Sequence, residues 1–323
     1  MAGQECLAAP ATTTQARAMT YPIGVPGVPW GETERAAWRA RQRKHRSYED
    51  DVGRPLDRLR SRFDVSEYGR LGCGADGVFA LYAVRSRRWD ASLPVLLVTG
   101  GVHGYETSGV HGALGFLDAH GDSYAGRANL LVAPCVSPWS YERIQRWNPD
   151  AIDPNRSFRA DGRAPESTAL LRLLAETVGR VVMHIDLHET TDTDESEFRP
   201  ALAARDGQVF EPGAIPDGFY VVDDAAKPEP AFQAAILEAV EKITHIAPAD
   251  PEGKLIGESV VSRGVVLYAC RALGLCAGAT DARFTTTTEV YPDSPRVSPA
   301  VCNAAQIAAI RAGIEHVLRQ GPT

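Results

Sequence analysis

The residues with the most chemistry to offer begin at His103 and Glu106, inside LPVLLVTGGVHGYETSGVHGAL, residues 93–114. At His-x-x-Glu spacing, an imidazole nitrogen and a carboxylate oxygen can converge from a single turn of chain. They are two of the three protein ligands that catalytic zinc takes in one known arrangement. A chain with eight histidines yields such a pair readily by chance, so its meaning depends on what else can join it. His188, in VVMHIDLHET, offers a third ligand. Two imidazoles and one carboxylate leave a coordination position open for water and substrate. His184 and His188 differ by four, so strand alternation puts both on one face, with Asp186 and Glu189 as neighbours. Asp153, Asn155 and Arg156 stand together in IDPNRSF, with Arg143 and Arg146 just upstream. Arg presents a planar fork that grips a carboxylate at two points, and Asn adds a donor. Glu289 closes RFTTTTEVYP, where a carboxylate can serve as general base towards a metal-activated water.

These side chains need elements that hold them. Leu93 to Thr99 reads as a strand buried on both faces, rich in Val and Leu. Gly100, Gly101 and Gly104 then permit a sharp turn, and a helix runs to about His120. The pair therefore falls at the carboxyl end of a strand, where open α/β sheets place their sites. Residues 129–135 read as another buried strand, and VVMHIDLHET as a strand that ends in charged and metal-capable residues. Between them lie the polar loop of residues 137–165 and a helix over ESTALLRLLAETVG. FYVVDD, VVLYAC and ARFTTTTEV add strands, while residues 229–244 and 298–319 add helices. Strands alternating with helices predict an α/β layer fold in one domain spanning residues 31–323. Residues 1–30, rich in Ala, Thr, Pro and Gly, read as a loose arm. Residues 31–63 carry a helical pattern of mixed charge, read as a solvated face. Strands 78–84 and 93–99 are expected to be neighbours. GCGADG at 72–77 has the spacing of a dinucleotide-binding turn. A polar segment precedes it and a strand pattern follows, so it reads as a turn before a strand.

The order of these features resembles the M14 zinc carboxypeptidases, which include the carboxypeptidase A group and the shorter aspartoacylase and succinylglutamate desuccinylase group. The resemblance covers about residues 70–320. It implies a mixed eight-stranded sheet flanked by helices in a three-layer, hydrolase-like fold. It also implies one Zn2+ held by His103, Glu106 and His188, with Asp153 fixing the tautomer of a ligating imidazole. Asn155 and Arg156 would hold the substrate's terminal carboxylate. Glu289 would be the general base, and an upstream Arg would stabilise the oxyanion. Arg146 is preferred over Arg143 for that role because it lies nine residues before Asn155, within the family's short-loop spacing. Tyr268 falls in the segment where carboxypeptidase A has a mobile tyrosine. Thr280 and Asp281 fall where the family sets side-chain preference. Arg271 and Arg283 nearby suggest an acidic substrate side chain. The implied substrate is a peptide losing its C-terminal residue. Deacylation of an N-acyl amino acid uses the same groups and stays open, as does a catalytically silent binding module.

Bulk properties narrow the class. A chain of 323 residues, 44% hydrophobic, can build one large α/β domain or two small ones. A net charge of −7 argues against a nucleic-acid binder. No two of the six cysteines form Cys-x-x-Cys, which argues against a thiolate zinc knuckle. The start lacks a charged segment followed by an apolar core, and no apolar run reaches about 18 residues. A cytoplasmic location is expected.

Overall fold

The computed structural model describes residues 21–177 and 179–321. Its centre is a set of short strands whose side chains are buried on both faces. β3 (Val95–Gly100) and β4 (Asn129–Ala133) are wholly buried, because helices cover the sheet from both sides. Leu96, Val98, Leu130 and Val132 point into one apolar layer with α3 (Thr107–His120), α7 (Pro230–Val240) and α8 (Pro299–Gln320). Val95, Leu97 and Leu131 point the other way, towards Leu173 and Leu174 of α5 (Pro165–Ala175). This period-two alternation between two cores defines three layers.

The remaining strands are β1 (Phe63–Gly72), β2 (Val78–Ser86), β5 (Val181–Glu189), β6 (Tyr220–Asp224), β9 (Val265–Tyr268) and β10 (Phe284–Val290). A small hairpin of β7 (Lys254–Leu255) and β8 (Glu258–Ser259) stands apart. The main sheet is mixed and eight-stranded, in the order β1-β2-β4-β3-β5-β10-β6-β9. β4, β3, β5 and β10 run parallel; β2 pairs antiparallel with β4, and β6 antiparallel with β10. Four shorter helices complete the chain: α1 (Glu32–Arg41), α2 (Arg54–Leu59), α4 (Pro138–Arg143) and α6 (Arg199–Arg205).

Three expectations are corrected here. β2 and β3 are not neighbours, because β4 returns through α3 to pair with β3 and so separates them. A strand, β1, precedes GCGADG, so that stretch is the turn of a β1–β2 hairpin rather than a turn entered from a loop. β1 is polar because it is an edge strand carrying a register shift between Glu67 and Gly69; an edge needs little apolar patterning and is often charged. Within the expected arm, residues 21–30 are anchored at three points, the others among them being exposed, and residues 1–20 lie outside the described ones. Tyr21, Ile23 and Trp30 are buried, Tyr21 donates to Glu197 at 2.7 Å, and the Trp30 amide donates to the Arg205 carbonyl. Cys73, Cys135, Cys270, Cys276 and Cys302 are buried free thiols. Among the described residues no helix is long and apolar enough to cross a membrane.

Candidate metal centre and active site

β3 ends in a turn that requires glycine at two positions. Gly101 sits at φ +58°, and a Cβ there would lie 2.7 Å from the Val110 side chain. A Cβ on Gly104 would run into the backbone of Ser140 and Tyr141. This turn delivers His103 and Glu106 over the sheet. The start of α3 has no side-chain cap of its own. Glu189, at the end of β5, supplies one, accepting the amides of Thr107 at 3.0 Å and Ser108 at 2.8 Å. A carboxylate at exposed helix N–H groups is favourable, and here it ties the Glu106 segment to the strand that carries His188.

β5 divides its side chains cleanly. Met183, Ile185 and Leu187 enter the apolar core, and His184, Asp186 and His188 occupy the opposite face. The parallel register places Glu289 of β10 directly beside His188.

The outcome is a buried convergence of ligand atoms. His103 Nδ1 lies 2.7 Å from Glu106 Oε1, and His188 Nδ1 lies 2.8 Å from Glu106 Oε2. The outer nitrogens are held by other carboxylates: His103 Nε2 by Asp153 at 3.0 Å, His188 Nε2 by Asp186 at 2.6 Å. Asp186 is itself held by the Thr99 hydroxyl at 2.6 Å. Outer nitrogens held by carboxylates turn both Nδ1 atoms inwards, and any proton there is one that a metal ion would displace. They meet a carboxylate whose Oε2, fully buried, has no well-aligned hydrogen bond. Burial opposes the ionised form of Glu106, but the two imidazoles outweigh it and hold the group at about 2. Burial would likewise push His188 down, yet Asp186 and Glu106 hold it well above the usual imidazole range. An arrangement that demands a cation, from two imidazole nitrogens and one carboxylate, matches the donor set of a catalytic zinc site. His103, Glu106 and His188 can hold one metal ion.

Around this cluster is a small cavity of about 110 Å³ that also admits Arg146, Asn155, Arg156, Tyr268 and Glu289. Glu289 accepts from Thr190 Oγ1 at 2.9 Å; burial raises its carboxyl to about 8, with Glu106 adding to the rise and His188 opposing it. Asp153 does three jobs. It holds His103, accepts the Asn155 amide at 2.8 Å, and pairs with Arg146 Nε at 3.1 Å. Asn155 Oδ1 accepts the Cys276 amide, which fixes its side chain. Arg156 bonds only to the carbonyl of Asn155 and meets no carboxylate among the described residues.

The structure does not bring every expected residue here. Arg143 is buried elsewhere, pairing with Asp76 at 2.9 Å and packing over the Trp139 ring. It points back into α4 and the β1–β2 hairpin and does not line this cavity, so it is corrected out of the substrate-binding set. Arg271 and Arg283, expected to read an acidic side chain, are also elsewhere. Arg271 pairs with Asp281 and Arg283 with Glu229, on the surface. Two residues at the site carried no sequence signal. Tyr105 and Asp194 hold Arg146 from the far side, with Nη1 3.2 Å from the tyrosine hydroxyl and 3.4 Å from Asp194. Asp194 comes from the turn Asp194–Phe198, in a polar segment where nothing marks one acid over another.

Comparison with known structures places this fold. The chain has the metallocarboxypeptidase fold. A metallopeptidase-like protein from Shewanella amazonensis aligns with a TM-score of 0.64 at 20% identity, covering 83% of this chain and 91% of that one. A metallo-carboxypeptidase from Pseudomonas aeruginosa, solved with (2-guanidinoethylmercapto)succinic acid, aligns with a TM-score of 0.54 at 17% identity, covering 83% and 68%. Bovine thrombin-activatable fibrinolysis inhibitor, in complex with tick carboxypeptidase inhibitor, aligns with a TM-score of 0.55 at 13% identity, covering 86% and 98%. At such identities the likeness concerns the fold. No protein-family model and no curated protein sequence matches the chain.

Proposed function

We propose that this protein is a zinc-dependent hydrolase that cleaves an amide bond next to a free carboxylate and releases the C-terminal amino acid of a peptide. The observation that carries the reading is the inward convergence of His103 Nδ1, His188 Nδ1 and the Glu106 carboxylate beside Glu289. His103, Glu106 and His188 would hold Zn2+, which when bound polarises a carbonyl and brings the pKa of a water down to about 7. Asp153 and Asp186 fix the two imidazoles in the ligating tautomer. Glu289 takes a proton from the attacking water and hands it to the departing nitrogen. Arg146 is anchored through Nε and Nη1, which leaves Nη2 to stabilise negative charge developing on the carbonyl oxygen. Arg156 and Asn155 grip the terminal carboxylate, and that positioning contributes to rate as well as affinity. Tyr268 borders the same cavity and closes over the bound end of the substrate.

Deacylation of an N-acyl amino acid would use the same groups. A wider cavity of about 690 Å³ adjoining the metal cluster favours a peptide over a short acyl group. The test is metal content and hydrolysis, measured together on the wild type and on His103→Ala. The expected result is about one zinc per chain, lost in the variant together with cleavage of C-terminally varied peptides. A zinc-replete wild type that cleaves neither peptides nor N-acyl amino acids would leave the fold in a binding role. Preferential cleavage of N-acyl amino acids would select the deacylase.

A further inference from the structure

The wider cavity has a charge that the whole chain does not. The protein carries a net charge of −7, yet seven residues lining this cavity are arginines and only four are acids, all aspartates. The aspartates are already committed. Asp153 and Asp194 hold Arg146, Asp161 holds Arg159 at 2.7 Å, and Asp206 holds Arg205 at 2.8 Å. Arg199 is paired with Glu195 at 2.6 Å. Three guanidinium groups, Arg35, Arg156 and Arg163, meet no carboxylate among the described residues.

Arg35 is built into place. Ala151 adopts a left-handed conformation at φ +54°, and its carbonyl oxygen accepts from both Arg35 and Arg205 at 3.2 Å. Two cations are thus drawn to one neutral oxygen, Arg35 donates also to the Asp150 carbonyl at 3.1 Å, and the two nearby aspartates, Asp150 and Asp206, are exposed. Partial burial first, and then the charges of Arg205 and Arg163, hold the Arg35 guanidinium below its ordinary pKa. Uncompensated guanidinium groups crowded into a cavity make a site for anions, since a carboxylate relieves their repulsion and matches their planar forks.

This cavity joins the metal cluster through Arg146, Arg156 and Tyr268, which border both. Arg156 is assigned above to the terminal carboxylate, so Arg35 and Arg163 remain for something else. We propose that Arg35 and Arg163, with Arg205 beside them, form a second anion-recognition site, and that the substrate is an acidic peptide bearing a side-chain carboxylate besides its terminal one. The inference rests on the hydrolase reading above for its account of the terminal carboxylate. It moves the acidic preference from Arg271 and Arg283, where the sequence suggested it, to a different part of the molecule.

The test separates binding from turnover. Calorimetry on the full chain would compare triglutamate, trialanine and N-succinyl-alanine, and the zinc-loaded protein would be assayed on the same compounds. Triglutamate is expected to bind roughly tenfold tighter than trialanine, with the margin shrinking as salt is raised. Arg163→Glu should abolish the margin; this arginine is exposed and pairs with no described residue, so the variant should fold. Arg35→Gln should reduce it. Equal binding of the two peptides, or a margin indifferent to Arg163→Glu, would overturn the proposal. N-succinyl-alanine held as tightly as triglutamate would overturn the peptide as the source of the anion. Turnover without acidic preference would sink this inference and leave the hydrolase standing, whereas an arginine-dependent margin without turnover would do the reverse.

Discussion

At the scale of single residues, the site consists of carboxylates given different tasks by their surroundings. Glu106 is kept ionised between two imidazoles, whereas Glu289 is raised to about 8 by burial. Glu289→Gln should lower kcat by on the order of 10³-fold while zinc content stays at the wild-type value, because it removes a proton carrier and no ligand. Loss of zinc in that variant would show that Glu289 acts on the metal instead. A different carboxylate bears on stability. Glu166, in the first turn of α5, is buried; burial raises it from 4.5 to about 7, outweighing its own backbone amide and a weak donor, Asn148 Nδ2 at 3.4 Å. Below pH 4.5 folded and unfolded chains both hold the proton and there is no penalty. Between the two values the unfolded chain gives the proton up first, so the stability from this group falls as pH rises and is fully lost above about 7. Glu166→Gln should therefore stabilise the protein at pH 8, by at most about 3 kcal/mol, and do little at pH 4.5. Urea denaturation of both proteins at the two pH values decides it, and a gain of the same size at both would exclude the protonation account.

At the scale of elements, the site depends on how closely a turn can pass a helix. The turn after β3 lies against the backbone of α4 at Gly104, where a Cβ would overlap Ser140 and Tyr141. Gly104→Ala should destabilise the fold by about 3 kcal/mol, since backbone on both sides leaves little room to relax. Calorimetric unfolding would measure this, and an unchanged transition would mean that α4 gives way freely. The strands show what pattern alone can convey. β3 and β4 were legible as buried runs and β5 and β10 as strands, and alternation in β5 put His184 and His188 on one face as observed. β1 was not legible, because an edge strand is only half covered and its charged residues obscure the period. α6 and the turn before it were missed for a similar reason, as a short helix in a polar segment carries too few apolar positions to mark a face.

At the scale of the molecule, the metal would add a further link between a strand end and a turn already joined by sheet pairing, core packing and hydrogen bonds. His103 and Glu106 follow β3, His188 ends β5, and Glu189 anchors α3 to the same strand. Ligands drawn from two parts of the chain make metal binding a folding contribution. Chelation should lower the unfolding midpoint by on the order of 5 °C at saturating zinc, and zinc should restore it. A midpoint indifferent to chelator, in a protein shown to contain zinc, would place the metal somewhere other than these three residues.

The sequence by itself determined the layered α/β fold, the three ligand candidates, Glu289 and the Asp153–Asn155–Arg156 group, because each sits in a short local pattern. Spacing within a turn, alternation along a strand and the apolar runs that position both are properties of neighbouring residues. Tertiary structure decided the rest. Arg146 and Arg143 lie three positions apart in one polar segment with the same chemistry. The left-handed Ile144 at the end of α4 separates them, sending Arg143 back to Asp76 and Arg146 forward to Asp153. Asp194 and Tyr105 at the site, and Arg35 and Arg163 in the cavity beside it, come from segments far apart in the chain. Their roles depend on distances that no local pattern encodes, since a side chain's charge is written in the sequence and its partners are set by the fold.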